Sequence, residues 1–194
     1  MAHIKNFLVF IVYFLVKLPM ELLSFIIVPI GCLFVKNGRL PKVISWFDEY
    51  DYGTDGDEGW KLHAQGKEVT WRYRVRFLLR NRINTFCKVV QGVRTSDIET
   101  ISYRGDTLTS NYPGHSGFLF IEAVTKSGKK YQEYYYVRRW GNSRRCIRMR
   151  FGWKLKDMLE EYLEDGILNN RKTREFAQFV FAPSFTMGYY IPTE

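Results

Sequence analysis

Phe7 to Val35 is a run of 29 residues that is almost entirely apolar, interrupted by Lys17, Pro19 and Glu21, with Pro29 and Gly31 further on. A helix on the surface of a small soluble domain needs a polar stripe facing water, and this run has none. As one helix it measures about 43 Å at 1.5 Å per residue, longer than the ~30 Å hydrocarbon core of a bilayer. Split at Lys17-Leu18-Pro19-Met20-Glu21, it gives two apolar arms, Phe7 to Val16 and Leu22 to Val35. These arms are about 15 and 21 Å long as helices, and neither spans alone. The sequence therefore predicts a membrane anchor over residues 1–38 that meets the lipid bilayer through residues 7–35. The anchor is either a hairpin dipping into one leaflet or a single span from about Leu18 to Val35 with the first arm at the interface. No small-x-small cleavage site follows, against a removed signal peptide.

The flanks suggest an orientation. Lys36, Arg39 and Lys42 follow the apolar run, whereas Lys5 and the amino terminus precede it. The positive-inside bias keeps the C-terminal part in the cytoplasm. Cys32, Cys87 and Cys146 are odd in number and widely spaced, with no CxxC pair, so a disulfide framework and a cysteine zinc site are both unsupported. A reducing compartment fits.

The chain has 194 residues and a net charge of +9, which divides unevenly. Asp48, Glu49, Asp51, Asp55, Asp57 and Glu58 crowd into a connector, residues 39–66, with no base between Asp48 and Glu58. From Gly59 onward, 24 bases face 13 acids, which makes residues 67–194 a basic domain. The segment Asp51 to Glu58 resembles the start of a calcium loop, with Asp51, Asp55 and Asp57 as candidate ligands and glycine at the sixth position. Gly53 stands where a third-position ligand belongs and Leu62 where a closing Glu should be, so a solvated turn, or one docked on basic residues of its own fold, is the better reading.

Trp71 to Arg80 fits a strand or a helix. The uninterrupted Phe77-Leu78-Leu79 favours the helix, with Arg72, Arg76 and Arg80 as an i, i+4, i+8 stripe and Trp71, Val75, Leu78 and Leu79 buried. Further on, the pattern predicts an antiparallel β-meander. Ile98 to Arg104 and Thr107 to Ser110 flank a hairpin signal at Gly105-Asp106, and Gly117 to Thr125, Lys130 to Trp140 and Arg144 to Trp153 are joined by short turns. Pairing Trp140 with Arg144 across Gly141-Asn142-Ser143 assigns the faces. Tyr135, Val137, Ile147, Met149 and Phe151 form a core face. Tyr134, Tyr136, Arg138 and Trp140 stand beside Arg144, Cys146, Arg148 and Arg150 on the other. Arginines among flat aromatic rings suit an anionic partner, whether lipid or single-stranded nucleic acid. The simplest register of the preceding hairpin opposes Glu122 to Glu133, which calls for an arginine bridge or a slip by one. A helix from Trp153 to Asp165 follows, with Glu160, Glu161 and Glu164 outside and Gly166 as its stop. A short helix or strand from about Asn170 to Phe181 and a docked aromatic tail through Tyr189 and Tyr190 complete the chain. The fold class is α+β: the anchor, then an antiparallel sheet packed with helices.

Catalytic signatures are missing. There is no Walker A sequence, GxGxxG, HExxH or GxSxG, and His3, His63 and His115 are dispersed, so no catalytic residue and no cofactor are implied.

Several landmarks stand in order along the chain: the apolar N-terminus, Leu40-Pro-Lys-Val-Ile-Ser-Trp-Phe47, Asp55-Gly-Asp-Glu-Gly-Trp60, Trp71-Arg-Tyr-Arg74 with Arg80-Asn81, Arg145-Cys-Ile-Arg-Met-Arg-Phe-Gly-Trp-Lys-Leu155 and Gln178-Phe-Val-Phe-Ala-Pro183. This order resembles a family of small membrane-anchored proteins of unknown function encoded by tailed bacteriophages and prophages. The resemblance implies a bacterial host, an inner-membrane location and an accessory role in infection. The expectation is a non-catalytic phage protein at the cytoplasmic face of the host inner membrane, binding a host membrane protein or the membrane itself. A membrane-tethered nucleic-acid-binding module and a divalent-cation-dependent enzyme are the alternatives.

Overall fold

Helix α1 runs unbroken from Ala2 to Gly31 in the computed structural model, which describes residues 2–64, 68–111, 114–168 and 174–189. The hairpin alternative is thereby corrected. Pro19 and Pro29 both lie inside the helix, and Lys17 and Glu21 pair across one turn at 3.0 Å. That i, i+4 pairing satisfies both charges on the helix face, so they need no turn to reach water. The chain divides into two compact units, Ile11–Gln91 and Met1–Phe10 together with Gly92–Glu194.

In the unit Ile11–Gln91, the remainder of α1 passes through a 3₁₀ turn, Cys32–Phe34, to a second at Lys42–Phe47. Helices α2 (Glu58–Ala64) and α3 (Trp71–Arg80) and a π-turn, Phe86–Val90, follow. Segment 71–80 is thus helical, capped by the Thr70 hydroxyl, which accepts from the Tyr73 N–H. The core gathers Val28, Cys32, Leu40, Phe47, Phe77, Leu78, Ile83, Phe86 and Cys87. Trp71 is exposed rather than buried, and its indole N–H donates to the Pro29 carbonyl at 2.9 Å.

The other unit is built on a five-stranded antiparallel sheet in the order β2-β5-β6-β7-β9. After β1 (Val93–Arg94), the strands are β2 (Ile98–Gly105), β3 (Ser110–Asn111), β4 (Gly114–His115), β5 (Gly117–Thr125), β6 (Lys130–Arg139) and β7 (Arg145–Trp153). Helix α4 (Lys156–Asp165), β8 (Phe176–Ala177) and β9 (Phe179–Tyr189) complete it. The helix begins at Lys156 rather than Trp153, which belongs to β7, and Glu161 is buried rather than outward. Of the predicted element from Asn170 to Phe181, residues 170–173 lie outside the described residues and the rest holds β8 and the start of β9; Tyr190 also lies outside them. The tail to Tyr189 docks as β9 along β7.

Three pairings differ from expectation. β2 pairs with β5 rather than folding back at Gly105-Asp106. Gly105 has φ +98°, and a Cβ there would lie 2.2 Å from the Phe118 carbonyl oxygen, so this glycine marks a close strand approach. Glu122 faces Gln132, and Glu133 faces Ile121, the one-residue slip that separates the two carboxylates. In the β6–β7 hairpin, the Trp140 N–H donates to the Arg145 carbonyl, so the loop is Gly141 to Arg144, one residue longer than expected. Arg139 fixes that loop by donating to the carbonyls of Asn142 and Ser143, each at 2.9 Å.

Candidate functional site

A helix places successive residues 100° apart, so its exposed positions define a face. Along α1 and its 3₁₀ extension, Val12, Leu15, Leu22, Ile26, Ile30 and Leu33 share one side, and all are exposed, Leu22 at 61% and Ile26 at 62%. The opposite side carries Lys17, Glu21, Ser24 and Val28. Ser24 is fully buried, and its hydroxyl donates to the Glu21 carbonyl at 2.6 Å. Gln91 donates through Nε2 to the Tyr13 carbonyl at 2.8 Å. The usual polarity of a surface helix is inverted, with polar groups facing protein and apolar groups facing out. This helix is long and apolar enough to cross a membrane.

The extra loop residue between β6 and β7 rearranges the expected basic aromatic face. Tyr134 now opposes Phe151, Tyr136 opposes Met149, and Arg138 opposes Ile147. Arg148 and Arg150 move to the other face, opposite Val137 and Tyr135. What was expected as a mixed face of tyrosines and arginines becomes an apolar one. Phe7 and Phe10 from the first turns of α1 pack edge-on against it, Phe7 on Phe151 at 6.3 Å and Phe10 on Tyr134 at 5.9 Å between ring centres. Between helix and sheet lies a half-open groove of about 390 Å³, walled by Phe7 and Phe10 and floored by Phe118, Tyr134, Tyr136, Met149 and Phe151. Burial raises the pKa of the Tyr134 hydroxyl. Of the predicted basic residues, Arg138 alone stays on this face. Beyond it, Trp140 is 58% exposed at the hairpin tip, where Arg144 and Arg145 are also exposed.

On the opposite face the arginines are spent internally. Arg150 pairs with Glu133, whose second oxygen accepts the Leu155 and Lys156 N–H groups at 2.6 and 2.9 Å. Arg148 donates to Asn111 at 3.2 Å, an oxygen shared with the Tyr135 hydroxyl. Lys154, donating to Gln178 at 3.2 Å, has its pKa lowered to about 8 by burial and by Arg150 and Arg174.

The acidic connector docks on its own unit. Asp51 takes the buried Lys88 ammonium, Asp55 takes Arg74 at 2.9 Å, and Asp57 accepts the Trp60 N–H at 2.7 Å. Each calcium-ligand candidate is already engaged, and no group of three or more potential metal ligands occurs among the described residues. On α3, Arg72, Arg76 and Arg80 are all exposed, and Arg80 lies 5.4 Å over the Trp60 ring.

Sequence reasoning missed the groove. Met149 and Phe151 were assigned to the core, and nothing local indicates that Phe7 and Phe10 meet strands more than a hundred residues away. The available signal was the β6–β7 loop, in which a four-residue turn competes with the three-residue reading. No curated protein and no solved structure matches this chain. The model of a family of unknown function, DUF7338, matches residues 1–189.

Proposed function

We propose that this chain, which belongs to the DUF7338 family of unknown function, is a membrane-surface protein that binds rather than catalyses. The observation that carries this reading is the inverted helix α1. A row of exposed leucines, isoleucines and valines opposite a buried serine and a sheltered ion pair is costly in water and favourable against acyl chains. Because Val28 and Cys32 sit in a protein core, the helix is proposed to lie in the plane of one leaflet rather than cross it. Exposed Trp140 between Arg138, Arg144 and Arg145 is the composition of a headgroup-level contact. With the phage-family resemblance, the proposed setting is the cytoplasmic face of a host inner membrane. The accessory role there is to engage the membrane or a host protein within it. The nucleic-acid alternative loses support, since Arg148 and Arg150 face inward partners.

Vesicle flotation of the full-length protein tests the proposal. Binding to anionic vesicles, lost when Leu22 and Ile26 are both replaced by Asp, is expected. Each buried apolar side chain contributes about 2 kcal/mol, so the pair should change partitioning by at least ~100-fold. Full retention of binding in that double variant, or no flotation of the wild type, refutes it.

A further inference from the structure

We propose that the groove between the first turns of α1 and the sheet holds one acyl chain of an anionic phospholipid drawn from the bilayer; this rests on the membrane-surface reading above. The groove's volume of about 390 Å³ falls in the ~300–1,000 Å³ range of small-molecule pockets. Among the described residues its lining is six aromatics and a methionine, with no charged side chain, so the occupant is hydrocarbon. Methionine is the adaptable wall that a flexible chain suits.

The source of the chain follows from the rim. Phe7 walls the groove and is itself nearly half exposed, and Ile4 and Leu8 on the same helical turns are exposed. An acyl chain leaving a leaflet beside these residues enters the groove without crossing water. Phe118 is also nearly half exposed at the floor. The headgroup preference follows from charge. Arg138 is the next residue on this face of β6 after Tyr136, and it is exposed. Arg104 opposes Phe120 on the same face from β2, also exposed. Arg138 beside an apolar slot fits a phosphate above a buried tail, whereas Arg104 stands next to Phe120, outside the groove lining, and its charge acts on Glu122.

The test uses full-length protein on vesicles containing phosphatidylglycerol with a diazirine in its acyl chain, read by flotation and by mapping of cross-linked peptides. Cross-links to the β6 and β7 peptides carrying Tyr134 and Met149 are expected. Met149→Trp fills the groove, and Phe118→Gln places an uncharged polar group at its exposed floor; each should cut those cross-links at least about tenfold while flotation is unchanged. Wild-type protein that floats but cross-links through α1 alone overturns the groove assignment and leaves the membrane reading intact. Protein that does not float removes both. Equal labelling by a free diazirine fatty acid without vesicles overturns the bilayer source. A dimer in light scattering that Met149→Trp dissociates identifies a second copy as the occupant and overturns the lipid.

Discussion

Glu133, fully buried, holds Arg150 on one carboxylate oxygen and the N–H groups of Leu155 and Lys156 on the other. One side chain thereby ties β6 to β7 and both to the start of α4, which has no side-chain N-cap of its own. Burial works against the Arg150 charge, yet the adjacent Glu133 carboxylate raises its pKa overall, so the guanidinium keeps its charge in the interior. Removing one member of such a pair strands the other charge. Glu133→Ala should cost about 3–5 kcal/mol, a fall in Tm of roughly 10 °C for a chain of this size. The double variant Glu133→Leu/Arg150→Met should recover part of that, because no charge remains, but not all, because two backbone donors stay unpaired. Thermal unfolding of the three proteins checks it; equal Tm values for wild type and Glu133→Ala contradict it.

The elements were largely legible in the sequence, because each is governed by local periodicity. β5 was read as Gly117 to Thr125, as it stands, and β6 and β7 to within one residue. The Phe77-Leu78-Leu79 triplet decided α3 correctly, with Phe77 and Leu78 in the core. Faces were not legible, since they depend on register, and one additional residue in the Gly141–Arg144 loop reverses every assignment on β7 relative to β6. Long-range partners were equally out of reach. Asp51 finds Lys88 across 37 positions, and Phe10 finds Trp153 at 5.8 Å, through folding that no local pattern encodes. The hairpin alternative failed for a nearer reason: it broke the apolar run at Lys17 to Glu21, whereas at i, i+4 these two charges satisfy each other and the helix runs through them.

Lys154 gives a pH signature. Its pKa falls from 10.5 in the unfolded chain to about 8 in the fold, chiefly through burial and then through Arg150 and Arg174. Between those values the unfolded chain binds more protons, so stability rises with pH across this window, and the penalty is fully present below pH 8. Lys154→Met should therefore stabilise the protein by about 1 kcal/mol at pH 7, net of the lost Gln178 contact, with the advantage disappearing towards pH 10.5. Urea titrations of both proteins at pH 7, 9 and 10.5 report the difference; a constant or growing advantage contradicts it.

The acidic connector should respond to mutation and not to calcium. Asp51→Ala leaves Lys88, 1% exposed, without its carboxylate. Since Asp51 itself is partly solvated, the expected loss is about 1–3 kcal/mol. A cation that bound Asp51, Asp55 and Asp57 would raise Tm by mass action. Millimolar Ca²⁺ is expected to leave Tm unchanged, because Lys88, Arg74 and the Trp60 N–H already occupy those oxygens. A calcium-dependent rise in scanning calorimetry would restore the cation site.

The two sheet faces predict opposite behaviour for arginines only ten residues apart. Arg138 is exposed beside the groove, whereas Arg148 donates to Asn111 on the opposite face, where Glu133 meets the start of α4. Reversing a charge near an anionic surface changes binding by about 1 kcal/mol per unit, so Arg138→Glu should weaken anionic-vesicle binding by roughly 10- to 30-fold. Raising the salt to 0.5 M shortens the Debye length and should shrink that ratio to about twofold. Arg148→Gln should leave vesicle affinity within about twofold while lowering Tm by a few degrees, because its loss is felt at Asn111 and Tyr135. Were both variants to weaken single-stranded DNA binding in a salt-dependent way, the arginines would share one outer surface, and the face assignment together with the lipid reading would be wrong.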